Sequence, residues 1–202
     1  MSEGRLFVVS GPSGTGKGTV CRKLLGEIET ALSISMTTRE PRPGEIDGKD
    51  YFFTSHGEFE RMIALGDFLE YAMVYGKYYG TPRQKVIEKL KGGADVILEI
   101  DTQGAFQVRQ MYPDAILIFI LPPSLSELKN RITRRGSETE EAIGIRMGET
   151  LKEIKSIGKY DYYVVNNELL ETVAKIKAII TAEHLKVSRN IDKLLERYKE
   201  DV

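Results

Sequence analysis

The sequence predicts a single α/β domain built on a parallel sheet with helices on both faces. Three apolar runs carry this prediction, and each is followed by a helical pattern: residues 5–10 (RLFVVS), 94–100 (ADVILEI) and 115–121 (AILIFIL). Because these runs lack polar alternation, they indicate strands buried on both faces, which is typical of parallel strands between helices. A chain of 202 residues is long enough for one such core and short for two independent domains.

The first strand leads into a glycine-rich turn that fits the pattern G-x-x-x-x-G-K and opens a helix. The turn consists of Gly11, Pro12, Ser13, Gly14, Thr15, Gly16, Lys17, Gly18 and Thr19. Its glycines let backbone N–H groups point inward at phosphate oxygens, and its lysine reaches the β- and γ-phosphates of a nucleotide. We therefore expect an ATP-binding cradle here. A turn without a ligand is the alternative, but four glycines and a lysine in this context are hard to explain by folding alone.

The next segment, residues 36–80, interrupts the alternation of strands and helices. It is rich in Gly, Tyr, Thr and Arg, and its strand-like pieces are short. One helix begins at a capping-box pattern formed by Ser55 and Glu58. We interpret this segment as a subdomain inserted into the core.

The second apolar run ends in two carboxylates, Glu99 and Asp101, near the carboxyl edge of the predicted sheet. Magnesium is the cofactor expected with the cradle, but Gly18 stands where a Ser or Thr hydroxyl usually holds it. We expect Thr19, or a water molecule, to replace that hydroxyl and Asp101 to organise the water shell of the metal. A helix-capping role for Asp101 or Thr102 is compatible with this interpretation.

The remainder of the chain predicts a lid and a return to the core. Residues 124–158 begin with a second capping box, at Ser124 and Glu127, and form two polar helices joined by an Arg-Arg-Gly sequence. A short apolar run at 162–165 then predicts a last strand. Apolar residues with helical spacing follow it, which indicates helices packed on the core.

The composition excludes several classes of function. Lys and Arg number 29 against 30 Asp and Glu, so the chain lacks the basic surplus typical of nucleic-acid or membrane-surface binding. The single cysteine, Cys21, excludes an intrachain disulfide and a multi-cysteine zinc site. Neither a targeting segment nor a long apolar run is present. We expect a cytoplasmic protein; nothing in the sequence specifies an oligomeric state.

Residues 37–53 carry the spacing T-T-R-x-x-R-x-x-E-x-x-G-x-x-Y-x-F, which resembles the signature of guanylate kinases. The similarity extends from about Arg5 to His184 and is to the bacterial, single-domain enzymes. It implies the P-loop nucleoside monophosphate kinase fold, with a guanylate kinase-like domain at 5–184. The implied parts are a core (1–35, 81–123 and 159–202), a GMP-binding subdomain (36–80) and a lid (124–158).

The resemblance also implies an activity, transfer of the γ-phosphoryl group of Mg·ATP to GMP, which serves guanine nucleotide recycling and biosynthesis. It implies that the GMP phosphate is bound by Arg39, Arg42, Tyr51 and Tyr79. It implies contacts to the base or nucleoside from Ser35, Glu70, Thr81, Glu99 and Asp101. It places Asn166 near the adenine of ATP, and it implies catalytic roles for Lys17, Arg42, Arg135 and Arg146.

The chemistry of guanine supports this assignment independently. Guanine presents two adjacent N–H donors beside an acceptor, so one carboxylate takes both donors while a hydroxyl donates to O6. Glu70 with Ser35 or Thr81 supplies that set. Adenine presents an acceptor at N1 instead, and a polar mismatch of this kind can discriminate by about 10⁴-fold.

The acceptor requires no general base, because its phosphate has a second pKa near 6 and is already ionised at neutral pH. This agrees with histidines, His56 and His184, that lie outside every motif and that we expect at the surface. Positioning and cations then carry the catalysis, and Arg131, Arg135 and Arg146 are the candidates from the lid.

Two other functions fit a chain of this kind. The guanylate kinase fold also occurs in binding modules that do not turn over ATP, although those typically have a damaged cradle. A kinase for another small molecule, such as AMP or a sugar, is the second alternative. The intact cradle argues against the first, and Glu70, Ser35 and the arginine pair argue against the second.

Overall fold

The structure of the protein is a computed structural model that describes residues 3–74, 76–134, 140–187, 191, 195–196 and 199. The strands are β1 (Leu6–Ser10), β2 (Thr30–Leu32), β3 (Met36–Thr37), β4 (Phe52–Phe53), β5 (Phe68–Val74), β6 (Lys77–Pro82), β7 (Asp95–Glu99), β8 (Ile116–Leu121) and β9 (Tyr162–Val165). The helices are α1 (Lys17–Leu25), α2 (His56–Leu65), α3 (Arg83–Lys91), α4 (Thr102–Met111), α5 (Leu125–Arg134), α6 (Glu140–Lys155) and α7 (Leu169–His184). A short 3-10 helix spans Ile157–Lys159.

The core is a five-stranded parallel sheet in the order β2-β7-β1-β8-β9. The three long apolar runs of the sequence supply its central strands, and β1 is buried along its whole length. Helices cover both faces, so the predicted α/β class is confirmed. All five strands point the same way, and their carboxyl ends meet at one edge.

Alternate residues of β1 pack on opposite faces of this sheet. Phe7 and Val9 belong to a cluster that contains Val20 and Leu24 of α1 and residues of α7. Leu6 and Val8 belong to a second cluster with residues of α3 and α4. A side chain of this size contributes about 1.5–3 kcal/mol when fully buried, so the two clusters fix α1 and α4 against the sheet.

A second sheet, in the order β4-β3-β6-β5, lies within residues 36–82. Its β6 pairs antiparallel with both β3 and β5, while β3 and β4 are parallel. Helix α2 packs on it through Phe59, which is fully buried and stacks on Phe68 and Tyr78 with ring centroids 4.2 and 5.0 Å away. The segment read as an insertion therefore has a small core of its own.

Both predicted capping serines cap helices. The hydroxyl oxygen of Ser55 accepts the N–H of Glu58 at 3.2 Å, and that of Ser124 accepts the N–H of Glu127 at 3.1 Å. The glutamates of the two boxes bind arginines one turn further along. A charge-assisted bond to a guanidinium is stronger than a bond to a neutral backbone N–H, which explains why these glutamates bind arginines instead of the N–H of the capping serine.

Helices α5 and α6 pack on each other through a separate small cluster of Leu128, Ile132 and Ile143. After the 3-10 helix, Tyr160 returns the chain to the core, where its hydroxyl donates to Ser10 at 3.1 Å and its ring packs edge-on against Phe119. The segment read as a lid is thus joined to the core next to the end of β1.

The amino ends of the strands carry a polar cluster. The carboxylate of Asp95 accepts the backbone N–H of Arg5 at 2.8 Å and contacts Nε2 of His184 at 2.7 Å. Arg5 donates to the other ring nitrogen of His184 at 3.4 Å. His184 therefore connects the end of α7 to β1 and β7. Its side chain is half-exposed, whereas that of His56 is exposed, as expected. Within the described residues, no helix combines the length and apolar character needed to cross a membrane.

Candidate active site

The glycine-rich turn forms a cradle between β1 and α1. Gly14 and Gly16 adopt positive φ angles of 86° and 89°, which only glycine adopts readily. A Cβ on Gly11 would lie 2.4 Å from the carbonyl oxygen of Ile120. The turn encloses a cavity of about 270 Å³. Its lining residues are Ser13, Gly14, Gly16, Lys17, Gly18, Thr19, Arg22 and Glu99.

Lys17 lies inside this cradle and donates to the carbonyl oxygens of Gly11 at 2.6 Å and Pro12 at 3.0 Å. Burial lowers the pKa of its ammonium group, while the carboxylates of Glu99, Glu153 and Asp101 act in the opposite direction. The ammonium group therefore bonds to the start of its own turn, and it can exchange those two carbonyl oxygens for phosphate oxygens.

Asn166 supports the cradle from behind. Its amide nitrogen donates to the carbonyl oxygen of Thr15 at 2.7 Å, and its amide oxygen accepts the hydroxyl of Thr172 at 3.0 Å. The side chain is buried, so both ends of the amide serve the protein. Asn166 thus supports the cradle, and its place near the adenine of ATP stays a prediction.

The two carboxylates after β7 lie in different surroundings. Asp101 caps α4, since its Oδ1 accepts the N–H of Gly104 at 2.7 Å. Burial raises the pKa of Glu99, and the cations of Lys17 and Arg22 oppose that shift. Glu99 borders the cradle, while Asp101 borders a neighbouring cavity, so the two predicted magnesium residues, Thr19 and Asp101, line different cavities.

Within the described part of the chain, no three His, Cys, Asp or Glu side chains cluster so as to hold a metal ion. A magnesium ion bound with a nucleotide keeps several waters and needs only one or two protein oxygens. The hydroxyl of Thr19 and the carboxylate of Glu99 are oxygen groups at the cradle itself. This donor set fits magnesium bound mainly by phosphates and water.

The neighbouring cavity, of about 190 Å³, lies between the two sheets. Most of the predicted acceptor residues line it: Ser35, Tyr51, Glu70, Tyr79, Glu99 and Asp101. Thr81 lines an adjoining pocket that shares Ser35, Tyr51 and Glu99. Because Glu99 borders the cradle as well, the two cavities adjoin at its carboxylate.

Glu70 and Thr81 form a buried polar pair at the floor of this cavity. They face each other across β5 and β6, and the Thr81 hydroxyl donates to Oε1 of Glu70 at 2.5 Å. Burial raises the pKa of Glu70 to about 7, although the Thr81 hydroxyl opposes the shift. The side chain of Glu70 lines the cavity.

Arg39 is held at the rim of the cavity by Glu45. One guanidinium nitrogen of Arg39 lies 2.9 Å from each carboxylate oxygen, and the backbone N–H of Arg42 donates to the same carboxylate at 2.8 Å. The N–H of Arg42, followed by Arg39, lowers the pKa of Glu45, so this carboxyl stays ionised. The guanidinium also lies 5.4 Å from the ring centre of Tyr51.

The sequence does not predict that Glu45 anchors Arg39, because it shows Glu45 only as one position in the spacing of residues 37–53. The side chain of Arg42 is exposed at the same rim. Tyr79 stands edge-on to Tyr51 with ring centroids 6.0 Å apart. Two guanidinium groups and two phenol groups therefore gather at one side of the cavity.

Helices α5 and α6 carry further charged groups. Arg131 of α5 pairs with Glu127 at 3.0 Å and reaches the carbonyl oxygen of Asn166 at 3.5 Å. Arg146 lies on α6 and is partly buried. Glu153, which the sequence analysis did not single out, accepts the hydroxyl of Thr102 at 3.4 Å. Arg135 lies outside the described residues.

This arrangement can bring two phosphate-bearing ligands together. One cavity is lined by backbone N–H groups and a lysine, and the other combines a cationic rim with a buried carboxylate–hydroxyl pair. Such a pair recognises a planar ligand edge that offers N–H donors. Cations on both sides of a shared boundary favour phosphoryl transfer between the two ligands.

Comparison with known proteins assigns this architecture. A family model described as guanylate kinase matches residues 3–183. The guanylate kinase of Clostridium tetani is 57% identical over 96% of this chain and 94% of its own length. That of Clostridioides difficile is 50% identical over 100% of this chain and 99% of its own.

Two solved structures also match this chain. The guanylate kinase of Anaplasma phagocytophilum matches with a TM-score of 0.75 at 37% identity, and the match covers 96% of this chain and 95% of that chain. A gluconokinase from Sinorhizobium meliloti 1021 matches with a TM-score of 0.50 at 17% identity, over 92% of this chain and 97% of that one. At that identity the second match reflects a common fold.

Proposed function

Because the chain belongs to the guanylate kinase family, we propose that it transfers the γ-phosphoryl group of ATP to GMP, giving ADP and GDP, across the boundary between its two cavities. The observation that carries this proposal is the shared boundary itself: Glu99 borders both the phosphate cradle and the acceptor cavity. Reacting groups held side by side gain the large advantage of proximity and orientation.

On the donor side, the cradle residues Gly11 to Thr19 bind the phosphates of ATP. Lys17 exchanges its bonds to the carbonyl oxygens of Gly11 and Pro12 for bonds to the β- and γ-phosphates. Asn166 holds the loop in shape through Thr15. Magnesium bound with ATP would neutralise charge on its phosphates, and the residues that would hold it are Thr19 and Glu99 at the cradle and, through water, Asp101.

On the acceptor side, Arg39 and Arg42 bind the GMP phosphate together with Tyr51 and Tyr79. The bond to Glu45 fixes the guanidinium of Arg39 before the ligand arrives, so less side-chain freedom is lost on binding. The phosphate oxygen is already ionised at neutral pH and attacks without a general base.

The base is read by Glu70 in its ionised form. Its carboxylate accepts the two adjacent N–H donors of guanine, while Ser35 faces O6, because the hydroxyl of Thr81 already donates its hydrogen to Glu70. AMP offers a lone pair at the corresponding position and is rejected, because the buried carboxylate would then face that lone pair instead of an N–H donor. Glu99 and Asp101 complete the nucleoside side of the cavity.

The lid supplies the remaining cations. Arg135 and Arg146 stabilise the charge of the transferring phosphoryl group on closure, and Lys17 and Arg42 do so from the core and the acceptor subdomain. Closure also excludes water until both substrates are bound. The three-part division into core, GMP-binding subdomain (36–80) and lid (124–158) is part of this proposal, as is a cytoplasmic location, which the lone buried thiol of Cys21 supports.

The test is ADP formation from Mg·ATP with GMP, AMP, CMP and UMP offered separately to the purified protein, with Lys17→Met as the matched inactive control. We expect turnover with GMP and none with AMP, CMP or UMP. Turnover with another acceptor alone would contradict the assignment of Glu70. Nucleotide binding without any turnover would favour a binding module instead.

A further inference from the structure

The outer edge of β5, the strand that carries Glu70, is covered by a helix. Among the described residues, β5 pairs with no strand of the second sheet other than β6, and α4 packs against β5. There the side-chain amide of Gln107 pairs with Tyr71. The N–H of Tyr71 donates to Oε1 of Gln107 at 3.0 Å, and Nε2 of Gln107 donates to the carbonyl oxygen of Tyr71 at 3.1 Å.

This pairing reproduces the two bonds that a neighbouring strand would make. It requires a side chain with one acceptor and one donor side by side, which only an amide supplies. Tyr71 directly follows Glu70 in the chain. The position of the Glu70 backbone relative to the core is therefore set by a bond to α4, one residue away.

The same helix also meets the carboxylate itself. Gly104 lies one turn before Gln107, and a Cβ built on it would lie 3.1 Å from Oε2 of Glu70. A carbon at that distance requires the neighbour to shift by a few tenths of an ångström. The carboxylate is thus held at Oε1 by the hydroxyl of Thr81 and bounded at Oε2 by the bare backbone of α4.

We propose that one face of α4 positions the base-reading carboxylate, with Gln107 fixing its strand and the missing side chain at Gly104 leaving its oxygen in place. Both are positioning residues that act on GMP affinity through Glu70. The inference rests on the proposed function, since it takes Glu70 as the group that reads guanine. It extends the acceptor site into a core helix whose N-terminus is capped by Asp101.

The first test replaces Gln107 by two other side chains. Gln107→Glu keeps the acceptor but loses the donor, and Gln107→Met loses both. We expect KM for GMP to rise about tenfold in each variant, with kcat and KM for ATP nearly unchanged. A small misplacement of Glu70 weakens the binding of GMP and leaves the binding of ATP unaffected. Gln110→Glu, at an exposed position of the same helix, is the matched control.

The second test is Gly104→Ala, compared with Gly57→Ala in α2, where an added Cβ meets nothing within 4 Å. Alanine in a helix is favoured over glycine by about 1 kcal/mol, so neither variant should lose its fold. We expect KM for GMP to rise in the first variant only, while its thermal unfolding midpoint is kept or raised.

Both tests are repeated in a Glu70→Gln background. If Gln107 and Gly104 act through Glu70, their substitution there leaves kcat/KM for GMP unchanged, which a purely structural role would not explain. An unchanged KM for GMP, an equal loss for ATP, or a full effect in the Glu70→Gln background would overturn the inference. In those three cases the parent protein still phosphorylates GMP; absence of that activity would overturn the proposed function and this inference together.

Discussion

Burial changes the acid–base chemistry of the Glu70 carboxyl group. It is 7% exposed and its pKa is raised to about 7, so its protonation changes near neutrality. The protonated form carries a hydrogen where guanine also carries one. We therefore expect GMP to select the ionised form.

The resulting prediction concerns pH. We expect KM for GMP to fall as the pH rises from 6 to 8, because the fraction of ionised Glu70 increases across that range. Glu70→Gln removes this titration and retains only that of the GMP phosphate, whose second pKa is near 6. Steady-state kinetics of both proteins over this range, with ATP saturating, measure the difference; identical profiles would contradict the role of Glu70.

The same shift makes a prediction about stability. A carboxyl whose pKa rises on folding binds its proton more tightly in the folded state. Its stabilising contribution is complete below the ordinary value of 4.5 and is lost as the pH rises through about 7. Glu70→Gln should therefore be more stable than the parent at pH 8, by up to about 3 kcal/mol, and similar to it at pH 4.5. Urea unfolding at the two pH values tests this.

Glu45 illustrates a residue that acts through another. Glu45→Gln keeps the size of the side chain but removes the charge that holds Arg39. We expect KM for GMP to rise about tenfold with little change in KM for ATP, because Arg39 is no longer held in place to bind the GMP phosphate and does not contact ATP. Glu40→Gln, at an exposed neighbouring position, serves as the control. Equal kinetics for the two variants would show that Arg39 needs no anchor.

At the scale of elements, contacts between residues close in sequence are predictable, whereas individual contacts between distant residues are not. The serine caps of α2 and α5 were predictable because each joins groups three residues apart. Strands β3 and β4 have two residues each, which is too short for an alternation of polar and apolar residues to predict them from the sequence. The bond between Gln107 and Tyr71 joins residues 36 apart and leaves no pattern in the sequence.

The proposed function of α6 as part of a lid makes a prediction of its own. Arg146→Ala should lower kcat by about 10³-fold while the fold survives, because a cation that stabilises the transferring phosphoryl group is removed. Lys152→Ala, at an exposed position of the same helix, should retain normal turnover. Near-normal kcat in the Arg146 variant would contradict the contribution of the lid.

At the scale of the whole molecule, the candidate site and a separate polar cluster lie at opposite ends of the core sheet. The carboxyl ends of β1 and β7 carry the cradle and the acidic residues, as parallel α/β sheets generally do. The amino ends carry the cluster of Arg5, Asp95 and His184. The sequence indicated the first arrangement through its motifs, whereas the second joins residues from three distant segments and could not be anticipated.

This division predicts that stability and activity can be separated. Asp95→Ala should lower the free energy of unfolding by about 2 kcal/mol, because two donors lose a buried carboxylate, and should leave kcat and both KM values unchanged at about 25 °C. Denaturant unfolding and steady-state kinetics measure the two effects. Glu29→Gln, at an exposed acidic position, controls for the loss of one charge. A large change in KM would mean that the two ends of the sheet are coupled.

The central place of β1 also governs how the polypeptide acquires its shape during synthesis. Phe7 pairs with Ile97 on one side and with Ile116 on the other, so β1 gains its second neighbour only after the ribosome has passed residue 116. Pairings this distant in sequence form slowly. The first strand to be made is thus among the last to be covered, and the cradle that follows it takes form only when more than half of the chain has emerged.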